Sequence, residues 1–143
     1  MSGQQTRPHL SFWLIAILIL LWNVMGVVNY FMQMNPDALA KFSDSHLVVV
    51  EGRPAWATFG FAIAVFGGTV AAALLLLRKP TAVLGFVLSM LGTVALMGYT
   101  LSVFLSLGST TISDILMMTV MPIIAAGFFI WYARLALGKG WLG

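Results

Sequence analysis

Four long stretches of the chain are apolar with few polar interruptions, and short polar segments separate them. A helix needs roughly 20 mostly apolar residues to cross a hydrocarbon core of about 30 Å. Each stretch is long enough, and the pattern predicts spans at about 10–32, 54–77, 82–106 and 115–137. No charge lies between Pro80 and Ser113, yet one helix over that region would run about 50 Å at 1.5 Å per residue. The run Leu107-Gly108-Ser109-Thr110-Thr111 supplies the break, because Gly and hydroxyl residues favour turns. Ser113 is the expected N-cap of the fourth span. Arg7 and the run from Leu14 to Leu21 resemble a secretion signal. The apolar stretch is too long for one and no small-x-small site follows, so the first segment reads as an uncleaved span.

The polar connection at 33–53 is the long one. Asn35-Pro36-Asp37 has the chemistry of a helix start, with a capping amide, Pro in the first position and an acid in the first turn. Asp44 or Ser45 can start a second helix leading into Leu47-Val48-Val49-Val50. Two short amphipathic helices on the outer leaflet are expected there. The fold class is thus an all-α membrane protein, a four-transmembrane-helix bundle forming one membrane domain over residues 1–143.

Composition agrees with that pattern. Hydrophobic residues make up 61% of the 143 and charged residues 8%, against about 25% charged in soluble domains. Arg7, Arg78, Lys79, Arg134 and Lys139 fall on one side of the four-span layout with no acid. Lys41 and Arg53 share the other side with Asp37, Asp44, Glu51 and Asp114. The cation bias predicts that both termini are cytoplasmic. Phe12-Trp13, Trp56, Trp131-Tyr132 and Trp141 fall near the expected interfaces, where amphipathic rings anchor. Seven scattered cations make no nucleic-acid footprint.

Helices associate in lipid where small residues let backbones approach. Gly60, Ala64, Gly68 and Ala72 recur every four residues on the second span, and Gly85, Ser89 and Gly92 share a face of the third. Pro122 removes a backbone hydrogen bond in the fourth span, a possible kink. On the first span Asn23, Gly26, Tyr30 and Gln33 lie on one helical face beside Trp22. An amide near the bilayer midplane is costly unless hydrogen-bonded, so this face should point inward. The expected partners of Asn23 are Gly67-Gly68-Thr69 and Thr93, with Tyr99, Thr100 and Ser102 meeting Tyr30 and Gln33 nearer the outside. Trp22, Asn23, Tyr30, Gln33 and Tyr99 form the candidate polar pocket, of a kind suited to an uncharged solute.

The expected spans contain no ionisable side chain in their cores, and the chain has no cysteine. That disfavours ion-driven export, thiolate metal sites and catalytic constellations, so no enzyme, metal or cofactor is expected. The segment Trp22-Asn23-x-x-Gly26-x-x-x-Tyr30-x-x-Gln33, with Pro54-Ala55-Trp56-Ala57-Thr58 and Val65-Phe66-Gly67-Gly68, resembles a group of small four-span bacterial inner-membrane proteins loosely labelled "sugar transporter". The resemblance implies residence in the bacterial inner membrane and a link to sugar transport, and it supplies no functional residues. Two functions are expected. The first is a non-catalytic membrane protein that packs against itself or a membrane partner. The alternative is an oligomeric facilitative transporter of a small neutral solute such as a sugar.

Overall fold

The structure, a computed structural model, describes residues 7–108 and 111–143, without the side chain of Ser45. It is helical throughout, with no strand among the described residues. The elements are α1 (Leu10–Met34), α2 (Pro36–Leu39), α3 (Asp44–Glu51), α4 (Ala55–Leu76), α5 (Ala82–Leu107), α6 (Ile112–Ile115), a π-helical turn (Leu116–Val120) and α7 (Met121–Gly138). Four helices are long and apolar enough to cross a membrane: α1, α4, α5 and the continuous run Ile112–Gly138.

Terminal residues explain where these helices stop. Asn35 Oδ1 accepts from the Asp37 N–H at 3.0 Å and caps α2. The last span starts earlier than expected because Thr111, not Ser113, caps it. Thr111 Oγ1 accepts from Asp114 N at 3.2 Å and donates to Asp114 Oδ2 at 2.9 Å. Helix α5 ends where Gly108 takes a left-handed conformation, φ 64°; Ser109 and Thr110 of the expected break lie outside the described residues. Arg78 also has a positive φ, 60°. The N–H groups of Arg78 and Lys79 return to Leu75 O and Leu74 O, a Schellman closure with arginine where glycine is usual. Gly140 closes α7 the same way, its N–H bonding Leu137 O and that of Trp141 bonding Ala136 O.

Helix α4 is the centre of the packing and lies against both α1 and α5, while α5 also receives α7. Small residues permit the α4–α5 approach. A Cβ on Gly92 would stand 2.5 Å from Gly60 O and 2.8 Å from Ala64 N, and one on Gly85 would stand 2.8 Å from the Ala71 Cβ. Ser89 Oγ crosses the seam to donate to Ala64 O at 2.6 Å.

The two ends of the molecule differ. The start of α1, the last residues of the chain and the α4–α5 connector gather at one end. There Arg78 Nε donates to Trp141 O at 2.7 Å, and Gly143 N donates to Arg78 O at 2.9 Å. Phe12, Ala16, Leu75, Phe86, Phe129, Tyr132 and Trp141 are buried together behind them. Phe12 stacks on Tyr132 at 6.4 Å and meets Trp141 edge-on at 5.6 Å. Three aromatics expected at an interface, Phe12, Tyr132 and Trp141, are therefore buried in this closed end, because the last residues fold back over it. Trp56 and Trp131 are exposed. The opposite end carries α2, α3 and α6 and is open.

Candidate functional site

Between the long helices, on the side of α2 and α3, lies a cavity of about 590 Å³. Its walls come from α1, α3, α4, α5 and the segment from the π turn into α7, and most of them are apolar. Trp22, Asn23 and Gln33 line it, as does Asn29. Tyr30 and Tyr99 do not. Tyr30 turns into an aromatic group with Phe61 at 5.2 Å and Phe66 at 5.5 Å. Tyr99 donates its hydroxyl to Val49 O at 3.0 Å and meets Trp56 edge-on, so it pins α3 onto α5.

Asn23 is the deepest amide of the cavity wall on α1 and only 6% exposed. Its Nδ2 donates to Ile19 O of its own helix at 2.8 Å, and the expected interhelical bonds to Thr69 and Thr93 are not made. Those hydroxyls donate to Val65 O and Ser89 O in their own helices. Asn23 Oδ1 instead rests against Gly68, where a Cβ would overlap it and would stand 3.0 Å from Ser89 Oγ. Gly68 therefore has no side chain for a local reason: the amide from α1 occupies that space. No hydrogen bond to Asn23 Oδ1 is made by any described residue, which leaves an acceptor at the floor of the cavity. Ser89, Thr93 and Thr100 also face the cavity, with their protons committed to backbone carbonyls.

The mouth of the cavity is built around a cation from the loop. Arg53 turns inward from the end of the loop, half-buried, with its guanidinium carbon 5.1 Å from the centre of the Phe61 ring. Its Nη1 donates to Gln33 Oε1 at 2.8 Å and its Nε to Thr58 Oγ1 at 3.2 Å. No carboxylate among the described residues pairs with it. Burial lowers its pKa, and the nearby Tyr99 and Tyr30 act in the opposite sense. His46 of α3 also lines the mouth, with Nδ1 3.3 Å from Ser43 Oγ. Its pKa lies below the ordinary value of 6.5 because of burial, an effect Asp114 partly offsets. In the sequence Arg53 is a loop cation with a single sign of this placement. Its position next to Pro54 and the start of α4 was the available signal, since such a residue must lie near the end of the preceding span.

The far wall is unusual in its backbone. Pro122 lacks the N–H that would continue an α-helix, and the preceding turn widens so that Met121 N bonds Leu116 O five residues back. Met117, Met118 and Pro122 of this region line the cavity. Thr119 is buried at 4% exposure, and its Oγ1 has no hydrogen-bond partner. Such turns are frequent at functional sites. The expected kink is thus a π turn that places two methionines and a proline on the wall.

No group of three or more His, Cys, Asp or Glu side chains among the described residues is placed to hold a metal. Comparison with protein-family models, curated proteins and solved structures gives no match for this chain.

Proposed function

We propose that the chain is a multi-pass inner-membrane protein that binds a small molecule in the loop-side cavity and carries it without chemistry. The single observation behind this reading is the cavity, open beside α2 and α3 and closed at the other end by the Phe12–Phe86–Tyr132–Trp141 group. Its volume falls within the range of about 300–1,000 Å³ common for small-molecule sites. A site open to one face and sealed towards the other corresponds to one half of an alternating cycle. The π turn and Pro122 supply a wall segment with a backbone that can rearrange. Both termini sit on the cytoplasmic side in this reading, in keeping with the cation bias, and α2 and α3 lie at the outer leaflet. The resemblance to small inner-membrane proteins labelled sugar transporters points in the same direction, towards handling of a solute.

The reading in which the protein acts by packing against a membrane partner has less support. Of its three supports, the small-residue faces of α4 and α5, the uncharged spans and the acidic external loop, the first is taken up within the chain itself. Gly60 faces Gly92, Gly85 faces Ala71, and Gly68 receives Asn23.

Native mass spectrometry of protein gently extracted from its host membrane separates the two. The carrier reading expects a bound small molecule, reduced in occupancy when Ala126→Phe fills the cavity wall. A stoichiometric foreign subunit with no small-molecule adduct would overturn it in favour of the partner reading.

A further inference from the structure

Cavity chemistry narrows the class of ligand. A sugar has many hydroxyls and needs a matching set of free donors and acceptors, since polar groups buried without partners are costly. This cavity offers few. Ser89, Thr93 and Thr100 give their protons to backbone carbonyls, and Asn23 Nδ2 gives one to Ile19 O. Much of the remaining wall is Val65, Leu96, Met97, Met117, Met118 and Phe129. Methionine side chains are flexible and polarisable, and suit ligands without a fixed shape.

The polar groups of the cavity concentrate at its mouth, around Arg53. The guanidinium reaches Gln33 and Thr58 with two nitrogens, and its Nη2 has no hydrogen-bond partner among the described residues. Four acids lie on the same side of the sequence layout, yet none pairs with it. A half-buried cation without a counter-charge, held over Phe61 at the rim of an apolar chamber, is matched by an anionic oxygen. The rim adds a second indication. Trp22, Met25 and Asn29 of α1 and Met117 of the π turn all line the cavity and are all exposed. With exposed rim residues on both of these elements, the chamber opens sideways between α1 and the last span as well as towards the loop. On the membrane reading that side faces lipid.

We propose that the cavity binds an amphiphile consisting of an acyl chain and an anionic oxygen head group. The head lies on Arg53 with Gln33 and Asn29 beside it, and the chain occupies the space lined by Val65, Leu96, Met97 and Met118. This deepens the carrier reading and rests on the cavity it invokes. It replaces the neutral solute expected from sequence, because the side chain that changes the preference is Arg53. Both a free fatty acid and a lysophospholipid have the required chemistry.

The test is equilibrium binding to the purified full chain in phosphatidylcholine nanodiscs, at a pH that ionises fatty acids. The probes are palmitate, palmitoyl-lysophosphatidylglycerol and hexadecanol, which has the same chain with an uncharged head. One or both anionic probes should bind roughly 10–100-fold more tightly than hexadecanol, as expected for a charge-assisted contact. Which of them binds more tightly identifies the source of the head group. Arg53→Gln should remove that advantage and leave hexadecanol binding unchanged, and Arg53→Lys should restore part of it. Because hexadecanol reports the cavity alone, a misfolded variant is recognised by loss of all three. Equal binding of hexadecanol and the anions to the natural chain would overturn the anionic head while leaving the cavity reading standing. Binding of none above protein-free nanodiscs would overturn both.

Discussion

At Gly68 an amide from α1 stands where a Cβ would be, and at Gly92 the backbone of α4 does the same. These two positions set how closely α1 and α5 approach α4. Gly92→Ala should therefore push α4 and α5 apart and cost about 1–3 kcal/mol, the usual range for overpacking a filled interior. Gly98, on the same helix, has nothing within 4 Å of its Cβ position. Gly98→Ala should be neutral or slightly stabilising, because alanine favours helix. Thermal unfolding of the two variants in one detergent checks both, and equal effects would contradict the seam. Small residues on this seam were legible in the sequence because a four-residue spacing keeps them on one helical face. The environment of Asn23 was not. Its hydrogen-bond potential could be read, but not that its own helix would absorb the donor and leave the acceptor free. Arg53 was hidden for a similar reason: sequence gives its charge, whereas only the fold shows that the side chain turns inward onto Phe61.

Among the elements, the π turn and α3 behave differently from ordinary helix. Widening the turn at Leu116–Val120 accommodates Pro122 and leaves Thr119 Oγ1 buried without a partner. Thr119→Val removes that hydroxyl while nearly preserving shape, and relief of an unsatisfied buried group is worth about 1–3 kcal/mol. The expected result is a higher unfolding temperature; a lower one would mean that the hydroxyl has a partner in the working protein. Helix α3 is held by Tyr99 through Val49 O and carries His46 against Phe42, Ser43 and the field of Asp114. Burial lowers the His46 pKa in the folded protein, so the folded ring holds its proton less tightly than the unfolded one. The stability this contributes is full above about 6.5 and is lost as pH falls through the lower folded value. Protection factors of the α3 amides, with the intrinsic pH dependence of exchange divided out, should accordingly fall on acidification, and His46→Gln should flatten that dependence. Element positions were largely legible, since length and apolarity define a span. In sequence the π turn is visible only as a kink, because a proline announces a missing N–H without saying how the backbone absorbs it. Burial of Trp141 escaped the sequence as well: a tryptophan near a helix end looks the same whether it faces the interface or, as here, folds back over Phe12.

For the whole molecule, the important asymmetry is between a closed end and an open one. Phe12 meets Tyr132 and Trp141 at the closed end, while the same two outer helices flank a chamber of about 590 Å³ at the other. The sequence indicated four spans and a polar stripe on the first, but a cavity is a difference between packed surfaces and has no local signature. The natural chain contains no cysteine, so single cysteines can be introduced without a competing thiol. Met97 lines the chamber and Phe86 lies in the closed end, and both are buried. The most direct measurement is the labelling of Met97→Cys and Phe86→Cys with a membrane-impermeant, water-soluble thiol reagent applied from the loop side. A chamber open to that face predicts rapid modification at 97 and none at 86. An inert cysteine at 97 in a folded protein, or equal modification at both positions, would contradict it.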